Sequence, residues 1–165
     1  MPGTVEELSE LRGRLEVDRQ RGRRIVLTNG IFDLLHVGHL RFLRAARQLG
    51  DVLVVGVNAD SAVLKPGRPL VPDVERAELV AALEPVDHVV VFAEPTADAL
   101  LRAVHPDIYA KGADYTPATL PEAATAEAIG ASVAFIPLVT GYSTTTLVAK
   151  LEPRTAPVAD RPKRT

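Results

Sequence analysis

The chain is organised around one segment, Thr28-Asn29-Gly30-Ile31-Phe32-Asp33-Leu34-Leu35-His36-Val37-Gly38-His39. An apolar run at residues 25–27, typical of a buried strand, comes before it, and apolar residues at helical spacing come after it. The sequence therefore predicts a strand, a polar turn that contains glycine, and the start of a helix. Two of the four histidines in the chain lie in this turn, on either side of Gly38.

The same alternation of strand and helix is predicted along the rest of the chain. Apolar runs predict five strands, at residues 24–28, 52–58, 88–92, 107–110 and 132–136. Helical patterns predict helices at residues 39–49, 74–83, 96–104, 121–129 and 143–151. This order predicts the α/β class: a single Rossmann-like domain with a doubly wound parallel sheet of about five strands and helices on both faces.

The two ends of the chain carry different patterns. Thr4 and Glu7 have the spacing of a capping box, and leucines at helical spacing follow, which predicts a leading helix within residues 1–23 that runs to about Gln20. The nucleotide-binding type of domain is then expected over residues 24–151. Residues 152–165 combine proline with mixed charge and little apolar content, so we expect a disordered tail there.

Composition excludes several classes of protein. The chain has 165 residues, 47% hydrophobic and 24% charged, with a net charge of −2, which gives no support for nucleic-acid binding. It has no cysteine, which rules out thiolate metal sites and cysteine nucleophiles and is consistent with a cytoplasmic location. No apolar run approaches the ~20 residues of a membrane span. We therefore expect no nucleic-acid and no membrane partner.

The two histidines are placed for phosphate chemistry. A helix N-terminus offers unpaired backbone N–H groups and partial positive charge, which favour anions, and Gly38 lets a phosphate approach the backbone. If the helix begins near Val37, His36 and His39 can both donate hydrogen bonds to one phosphoryl group. Two other interpretations remain open: half of a metal site, whose third protein ligand would have to be Asp or Glu, and a purely structural pair.

The position in the sheet supports the phosphate interpretation. In doubly wound sheets, ligands bind beyond the carboxyl ends of the strands, where the strand order reverses. The His36–His39 segment follows directly on the first of the five predicted strands. The glycine fingerprint of dinucleotide-binding domains is missing, which argues against a dinucleotide cofactor.

At this point the sequence resembles a known family. The segment Thr28–His39 is similar to the signature of the cytidylyltransferase-like nucleotidyltransferases, and most of all to the adenylyltransferase domain of bifunctional heptose-phosphate kinase/adenylyltransferases. Further blocks carry the resemblance in the same order along the chain: Val57-Asn58-Ala59-Asp60, Arg68-Pro69-Leu70-Val71-Pro72-Asp73-Val74-Glu75-Arg76, Ala82-Leu83-Glu84-Pro85-Val86-Asp87, Ala110-Lys111-Gly112-Ala113-Asp114-Tyr115 and Gly141-Tyr142-Ser143-Thr144-Thr145.

The resemblance implies a reaction and a set of roles. An oxygen of a sugar 1-phosphate, with heptose 1-phosphate expected, would attack the α-phosphate of ATP and expel pyrophosphate. Catalytic roles fall to His36, His39 and Lys65, the last in a proline-rich loop that could close over the phosphates. Residues implied to bind the nucleotide are Thr28, Asn29, Gly30, Phe32, Gly38, Lys111, Gly112, Asp114, Tyr142, Ser143, Thr144 and Thr145. Residues implied to bind the acceptor are Asp33, Asn58, Arg68 and Arg76.

Several of these residues have a plain structural interpretation as well. Asp33 could be a turn aspartate bonded to local backbone, and Lys65 an exposed lysine. Arg76 could pair with Glu75 or Asp73. The segment 143–145 has the pattern of a helix cap.

The resemblance also implies Mg²⁺, held mainly by phosphate oxygens and water, and a homodimer. We expect no metal site formed by protein side chains alone. The enzymatic alternative uses CTP or GTP, or glycerol 3-phosphate or another small phosphate as the acceptor. A non-catalytic nucleotide sensor is the alternative from another class. Some relatives carry a fused kinase domain that this sequence lacks, so we expect another enzyme to supply the acceptor.

Overall fold

The computed structural model describes residues 3–64, 66–138, 141 and 144–151. Strands and helices alternate along the chain. The strands are β1 (Thr4–Val5), β2 (Ile25–Gly30), β3 (Val52–Asn58), β4 (His88–Phe92), β5 (Ile108–Gly112) and β6 (Ser132–Ile136). The helices are α1 (Leu8–Gln20), α2 (Val37–Arg47), α3 (Asp73–Ala81), α4 (Asp98–Val104), α5 (Ala123–Ala128) and α6 (Thr144–Leu151).

The strands form one parallel sheet in the order β1-β4-β3-β2-β5-β6. From β2 the chain moves outward to β3 and β4 on one side, and then continues through β5 and β6 on the other. The strand order therefore reverses between β2 and β5, where a ligand crevice is expected in this type of sheet. The predicted α/β class and doubly wound parallel sheet are confirmed, with six strands in place of about five.

Side chains of β2 and β3 alternate between two buried layers. Ile25 and Leu27 pack with residues of α1, α4 and α5, whereas Val26 packs with residues of α2 and α3. These two sides are called the α1 face and the α2 face below. All residues of β3 except Asn58 are buried, as expected for a strand covered on both faces.

The structure corrects the expectation for the N-terminus. Thr4 does not cap a helix: Thr4 and Val5 form β1, which pairs with His88 and Val89 at the edge of the sheet. Helix α1 begins three residues later than a cap at Thr4 requires, and Leu11 and Leu15 are fully buried in the α1 face. The extra strand accounts for the sixth member of the sheet. The domain boundaries proposed at residues 23 and 151 stay predictions, and residues 152–165 lie outside the described residues.

Two element boundaries matter for the site. Helix α2 begins at Val37, the earlier of the two starts considered, so His36 takes the cap position. Strand β5 extends to Gly112, so Lys111 lies within the strand. Asp73 is the first residue of α3 and does not cap it; its carboxylate accepts a hydrogen bond from the backbone N–H of Asp60, at 2.9 Å.

A buried guanidinium joins the loops that follow β2 and β3 to helix α3. Arg76 is fully buried, and it donates hydrogen bonds to the carbonyl oxygens of Val71 (2.8 Å), Asn58 (2.9 Å) and Ile31. It also forms an ion pair with Asp60, at 2.7 Å. Because a fully buried guanidinium left without acceptors is costly, the carbonyl oxygens and the carboxylate are held around it, and this one side chain fixes the geometry of both loops.

We expect Arg76→Met to lower the free energy of unfolding by about 3 kcal/mol, because the substitution keeps the apolar stem but leaves buried carbonyl oxygens without a donor. Urea unfolding measures the change. The exposed neighbour Glu75 provides the control, since Glu75→Gln removes a charge without removing a buried partner. A loss below about 1 kcal/mol in Arg76→Met would show that the loops do not depend on this side chain.

Candidate active site at the switch point of the sheet

A cavity of about 670 Å³ opens at the carboxyl ends of the strands, around the point where the strand order reverses. The residues that line it include most of those singled out from the sequence: Thr28, Asn29, Gly30, Phe32, His36, Gly38, His39, Asn58, Lys111, Gly112, Asp114 and Thr144. They come from β2, α2, β3, β5 and α6, which are far apart in the sequence. The fold therefore brings together at one edge residues that the sequence could only associate by their motifs.

The loop between β2 and α2 has an unusual backbone. Phe32 and Leu34 have φ values of 54° and 52°, in the left-handed region that side chains with a Cβ rarely adopt. Such conformations persist only where the surroundings fix them, and they concentrate at functional sites. Here the ring of Phe32 is buried and packs against His39, with ring centroids 5.5 Å apart. The strained loop therefore directs an aromatic wall against the second histidine.

Asp33 also holds the loop between β2 and α2, through contacts with the segment before α3. Its carboxylate accepts hydrogen bonds from the backbone N–H groups of Leu70 and Val71 and from the guanidinium of Arg68, at 2.8 Å. Burial raises the pKa of the Asp33 carboxyl, but the bonds from Arg68 and from the backbone outweigh it and leave the pKa below its ordinary value. Asp33 is therefore a charged carboxylate bonded to the protein itself.

Three of the residues assigned to the acceptor have their contacts with the protein itself. Asp33 and Arg68 form an ion pair with each other, and neither lines the cavity. Arg76 is fully buried, bonded to three carbonyl oxygens and paired with Asp60, not with Glu75 or Asp73 as considered. These contacts are the structural alternative for the three residues, and their assignment to the acceptor stays a prediction. Asn58 lines the cavity, and its carbonyl oxygen is among the three that accept hydrogen bonds from Arg76.

The two histidines cap the helix reciprocally. Nδ1 of His36 accepts the backbone N–H of Gly38 at 3.1 Å, and Nδ1 of His39 accepts the backbone N–H of His36 at 3.3 Å. A nitrogen that accepts a hydrogen bond carries no proton, so a neutral ring must carry its proton on Nε2. The backbone therefore fixes the tautomer of both rings and leaves two Nε2–H donors on the ring edges away from the helix.

Both rings are neutral in the free protein. Burial, and after it the neighbouring His36, lower the pKa of His39 to about 4. Burial also lowers the pKa of His36. The rings are stacked with centroids 3.9 Å apart, so two positive charges side by side would repel strongly. At neutral pH the pair therefore offers two hydrogen-bond donors without charge, and an anion bound between them would favour protonation.

A second cluster of polar side chains lies at the same edge of the sheet, on its α1 face. The side-chain oxygen of Asn29 accepts hydrogen bonds from the hydroxyl of Tyr109 at 2.6 Å and from the ammonium of Lys111 at 3.1 Å. The ammonium also lies 5.0 Å from the ring centroid of Tyr115. Burial lowers the pKa of Lys111, and the carboxylates of Glu122 and Asp114 oppose that shift. Asn29 thus holds the buried ammonium of Lys111 at the cavity, and that ammonium has N–H donors that Asn29 does not use.

The other predicted site residues differ in their contacts and in whether they line the cavity. Thr28 is fully buried at the cavity, and its hydroxyl has no hydrogen-bond partner within the described part of the chain. Gly112 lines the cavity, and its missing side chain lets Asp114 and Leu138 pack against the backbone, because a Cβ there would collide with both. Thr144, at the start of α6, donates a hydrogen bond to the carbonyl oxygen of Asp33 at 2.7 Å. Thr145 is exposed and does not line the cavity, while Lys65, Tyr142 and Ser143 lie outside the described residues.

Sequence reasoning missed two residues of this site. Tyr109 was assigned only to a strand, and Glu122 was placed inside a helix predicted from residue 121. In the structure Glu122 immediately precedes α5, lines the cavity and is only 4% exposed. A charged residue between Pro121 and an alanine-rich run carries no signal that separates a helix start from a ligand contact.

The donor set does not form a protein metal centre. Among residues 3–64, 66–138, 141 and 144–151, no group of three or more His, Cys, Asp or Glu side chains could hold a metal ion. No helix in those same ranges is long and apolar enough to cross a membrane. The paired histidines lie at a helix N-terminus beside the switch point of the sheet, which is the geometry of an anion site in this type of α/β domain.

Comparison with known proteins agrees with this class. The family model described as cytidylyltransferase-like matches residues 27–153. The chain is 48% identical over 144 residues to the bifunctional protein HldE of Syntrophotalea carbinolica, which covers 86% of this chain and 29% of that protein. It is 46% identical over 150 residues to the bifunctional protein HldE of Methylobacillus flagellatus, covering 89% and 31%. The chain thus spans under a third of the length of these relatives.

A solved structure shares the fold as well. The lipopolysaccharide core biosynthesis protein from Thermoplasma volcanium matches with a TM-score of 0.61 and 30% sequence identity, over 72% of this chain and 98% of that chain. The chain belongs to the cytidylyltransferase-like family. It is a nucleotidyltransferase enzyme, and the resemblance to heptose-phosphate kinase/adenylyltransferases is confirmed.

The lowered pKa of His39 makes the stability of the free protein depend on pH. The folded pKa is about 4 and the ordinary value is 6.5, so between these values the unfolded chain binds the proton first. We therefore expect the free energy of unfolding to fall as the pH falls from 6.5 to about 4. His39→Asn should flatten this dependence, because the amide keeps a cap acceptor without titrating.

Urea unfolding at closely spaced pH values measures that slope. His105→Asn is the matched control, since His105 is exposed and has a left-handed backbone that asparagine tolerates. The control should keep the slope of the wild-type protein. An equal slope in wild type and His39→Asn would contradict a neutral, buried His39.

Proposed function

We propose that this enzyme transfers the adenylyl group of ATP to a sugar 1-phosphate, with heptose 1-phosphate as the expected acceptor, and releases pyrophosphate. The observation that carries the proposal is the pair of backbone-oriented Nε2–H donors of His36 and His39, which face a cavity large enough for a nucleotide. The name of the bifunctional HldE relatives and the heptose-family motifs support the choice of donor and acceptor.

The reaction is an in-line displacement at phosphorus. An oxygen of the acceptor phosphate forms a bond to the α-phosphorus of ATP, while the bond from that phosphorus to the bridging β-oxygen breaks and its electron pair leaves with pyrophosphate. Negative charge develops on the oxygens around the α-phosphorus and on the leaving group. Groups that donate hydrogen bonds to those oxygens at fixed positions lower the barrier.

His36 and His39 are the donors that this mechanism uses. Their Nε2–H groups meet the triphosphate at the N-terminus of α2, where backbone N–H groups add to the positive potential. As negative charge grows on the oxygens around the α-phosphorus, the hydrogen bonds that the two Nε2–H groups donate to them become stronger. The rings therefore give more to the transition state than to the ground state, as catalysis requires.

The resemblance assigns Lys111 to the nucleotide, and in this proposal its cation also serves the phosphate of the acceptor. Its ammonium is buried beside Asn29 and has donors that Asn29 does not use. A dianionic phosphate placed there would have its charge balanced while one oxygen faces the α-phosphorus. Thr28, whose buried hydroxyl lacks a partner in the described part of the chain, is available as a further donor.

Three further features belong to the proposal. Helix α6 begins at Thr144, and its N-terminus with Ser143, Thr145 and Tyr142 is proposed to bind the β- and γ-phosphates. Lys65 is proposed to close over them. The nucleotide is proposed to enter as its Mg²⁺ complex, in which the metal supplies charge neutralisation.

A homodimer in the cytoplasm completes the proposal. Leu70, Val74 and Leu79 lie in or near α3 and are between 51% and 71% exposed, which offers apolar surface for a second copy.

The second candidate is a cytidylyltransferase, which the description of the family model favours. Pyrophosphate release measured with ATP, CTP, GTP and UTP, each against heptose 1-phosphate, a hexose 1-phosphate and glycerol 3-phosphate, separates the two. We expect turnover with ATP and a sugar 1-phosphate. Turnover confined to CTP and glycerol 3-phosphate would overturn the proposal in favour of this alternative.

The histidine assignment makes a sharper prediction. Asparagine at position 36 or 39 keeps a cap acceptor near the place of Nδ1 but removes Nε2–H, whereas His39→Gln does the reverse. We expect His36→Asn and His39→Asn to lower kcat by about 10²–10³-fold, as loss of an oriented donor does elsewhere. We expect His39→Gln to keep more activity than His39→Asn.

Thermal unfolding at pH 7.5 checks that each variant is folded, and His105→Asn again serves as control. A kcat for His39→Asn within about threefold of wild type would remove His39 from the catalytic machinery.

A further inference from the structure

A second cavity, called the α1/α4 groove below, lies on the surface between helices α1 and α4. Its volume is about 650 Å³, and none of its lining residues also lines the cavity at the switch point. It is therefore separate from the candidate active site. The residues that line it include Ser9, Arg12, Gly13, Glu16, Arg19 and Arg102.

One wall of the groove contains a glycine that the fold does not require. Gly13 lies in the middle of α1, where glycine is among the poorest helix formers. A Cβ at this position would meet no atom within 4 Å, so packing does not exclude a side chain. Glycine in a strand or helix interior often marks a place where another group approaches the backbone closely. Here the open side of Gly13 faces the groove, which indicates a ligand.

The side chains around Gly13 give the groove an excess of positive charge. Arg12, Arg19 and Arg102 contribute three guanidinium groups, against the carboxylate of Glu16. That carboxylate is itself paired with Arg19, with 3.5 Å between Oε2 and Nη1. The excess is local, because the chain as a whole has a net charge of −2. The groove therefore attracts an anion.

Arg19 supplies charge to the groove but spends its hydrogen bonds on the protein. Its guanidinium donates to the backbone carbonyl oxygens of Val104 and, at 3.2 Å, of His105. These carbonyl groups end α4 and would otherwise lack a helical donor. Arg19 therefore neutralises the negative end of α4, which would disfavour an anion in the groove.

Arg12 and Arg102 have donors left for a ligand. Both side chains are exposed, one on each helix. Arg102 donates one hydrogen bond to the hydroxyl of Thr125, at 3.2 Å. A guanidinium carries five N–H donors, so most of those of Arg102 remain for an anion. The groove thus offers donors from two sides.

The donor type favours phosphate over other anions. The planar fork of a guanidinium matches two oxygens of a phosphate group, and the paired hydrogen bonds are charge-assisted. A phosphate monoester has three terminal oxygens and up to two charges, so it can engage two guanidinium groups together. The volume of the groove lies within the range of small-molecule sites.

We propose that the α1/α4 groove is a second anion site of this protein, in which Arg12 and Arg102 bind the phosphate group of a small phosphorylated metabolite. Gly13 lets that metabolite lie against the backbone of α1. The inference is independent of the proposed function, because it uses no residue of the cavity at the switch point.

A titration with inorganic phosphate at pH 7.5, followed by ¹H–¹⁵N NMR, measures binding at the two sites separately. The backbone signals of Gly13 and Ala103 report on the groove, and that of Gly38 reports on the active site. We expect the Gly13 and Ala103 signals to shift saturably with phosphate. Signals that do not move, or that move equally with chloride at the same ionic strength, would overturn the proposal.

Charge variants test the two donors. Arg12→Gln and Arg102→Gln should each raise the Kd for phosphate, measured from the Ala103 signal, at least about tenfold, because each removes a charge-assisted contact. Arg44→Gln is the matched control: it removes the same charge from an exposed position on α2 and should change this Kd less than twofold. A Kd that is equal in wild type and in both groove variants would contradict the site.

Gly13→Leu tests the shape of the groove without changing its charge. Leucine is a better helix former than glycine, so the variant should unfold at or above the Tm of wild type. Its side chain should occupy the groove and abolish the saturable shift of Ala103. Val17→Leu, at an exposed position of α1 outside the groove, is the control and should keep that shift. Unchanged phosphate binding in Gly13→Leu would overturn the proposal.

Glucose 1-phosphate and AMP identify the source of the phosphate group. The two compounds share a phosphate monoester and differ in whether a sugar or a nucleoside carries it. We expect at least one of them to shift the Ala103 signal with a lower Kd than inorganic phosphate, and that compound names the class of metabolite. Failure of both to bind in the groove would overturn the assignment to a phosphorylated metabolite.

Discussion

Two backbone N–H groups at the start of α2 set the chemistry of the site. By donating to Nδ1 of His36 and of His39, they satisfy donors that a helix start otherwise leaves unpaired, and they fix both rings as Nε2–H tautomers. The same two hydrogen bonds therefore begin the helix and orient two Nε2–H donors towards the cavity. Burial keeps both rings neutral until an anion arrives.

Contacts of the preceding loop hold that helix start in place. Phe32 and Leu34 adopt left-handed backbone conformations, which the chain would abandon without support. Arg76 fixes the loop through the carbonyl of Ile31, and Asp33 fixes it through Arg68 and the backbone of Leu70. Charged side chains of the loops thus hold the strained turn through contacts with the protein itself. Lys111 and Glu122 supply charge on the other face of the same edge.

Much of the fold was predictable because its signals are local. The bounds predicted for β3, β4 and β6 agree with the structure, since each is a short apolar run between polar turns. The strand Thr4–Val5 was not predictable, because only its pairing with His88 and Val89 makes it a strand. The histidines were recognisable from their spacing around Gly38. The burial of Arg76 and of Glu122 depends on contacts between segments far apart in the sequence, which no local pattern records.

The tautomer of the two histidines can be observed directly by ¹⁵N NMR of the imidazole rings at neutral pH, with His36→Asn and His39→Asn used to assign the signals. In the free protein we expect Nδ1 of both rings to be unprotonated and Nε2 to carry the proton, and we expect both Nε2–H signals to move when the Mg²⁺ complex of ATP is added. Rings protonated on Nδ1, or Nε2–H signals that ignore the nucleotide, would contradict the assignment of these side chains as the phosphate donors.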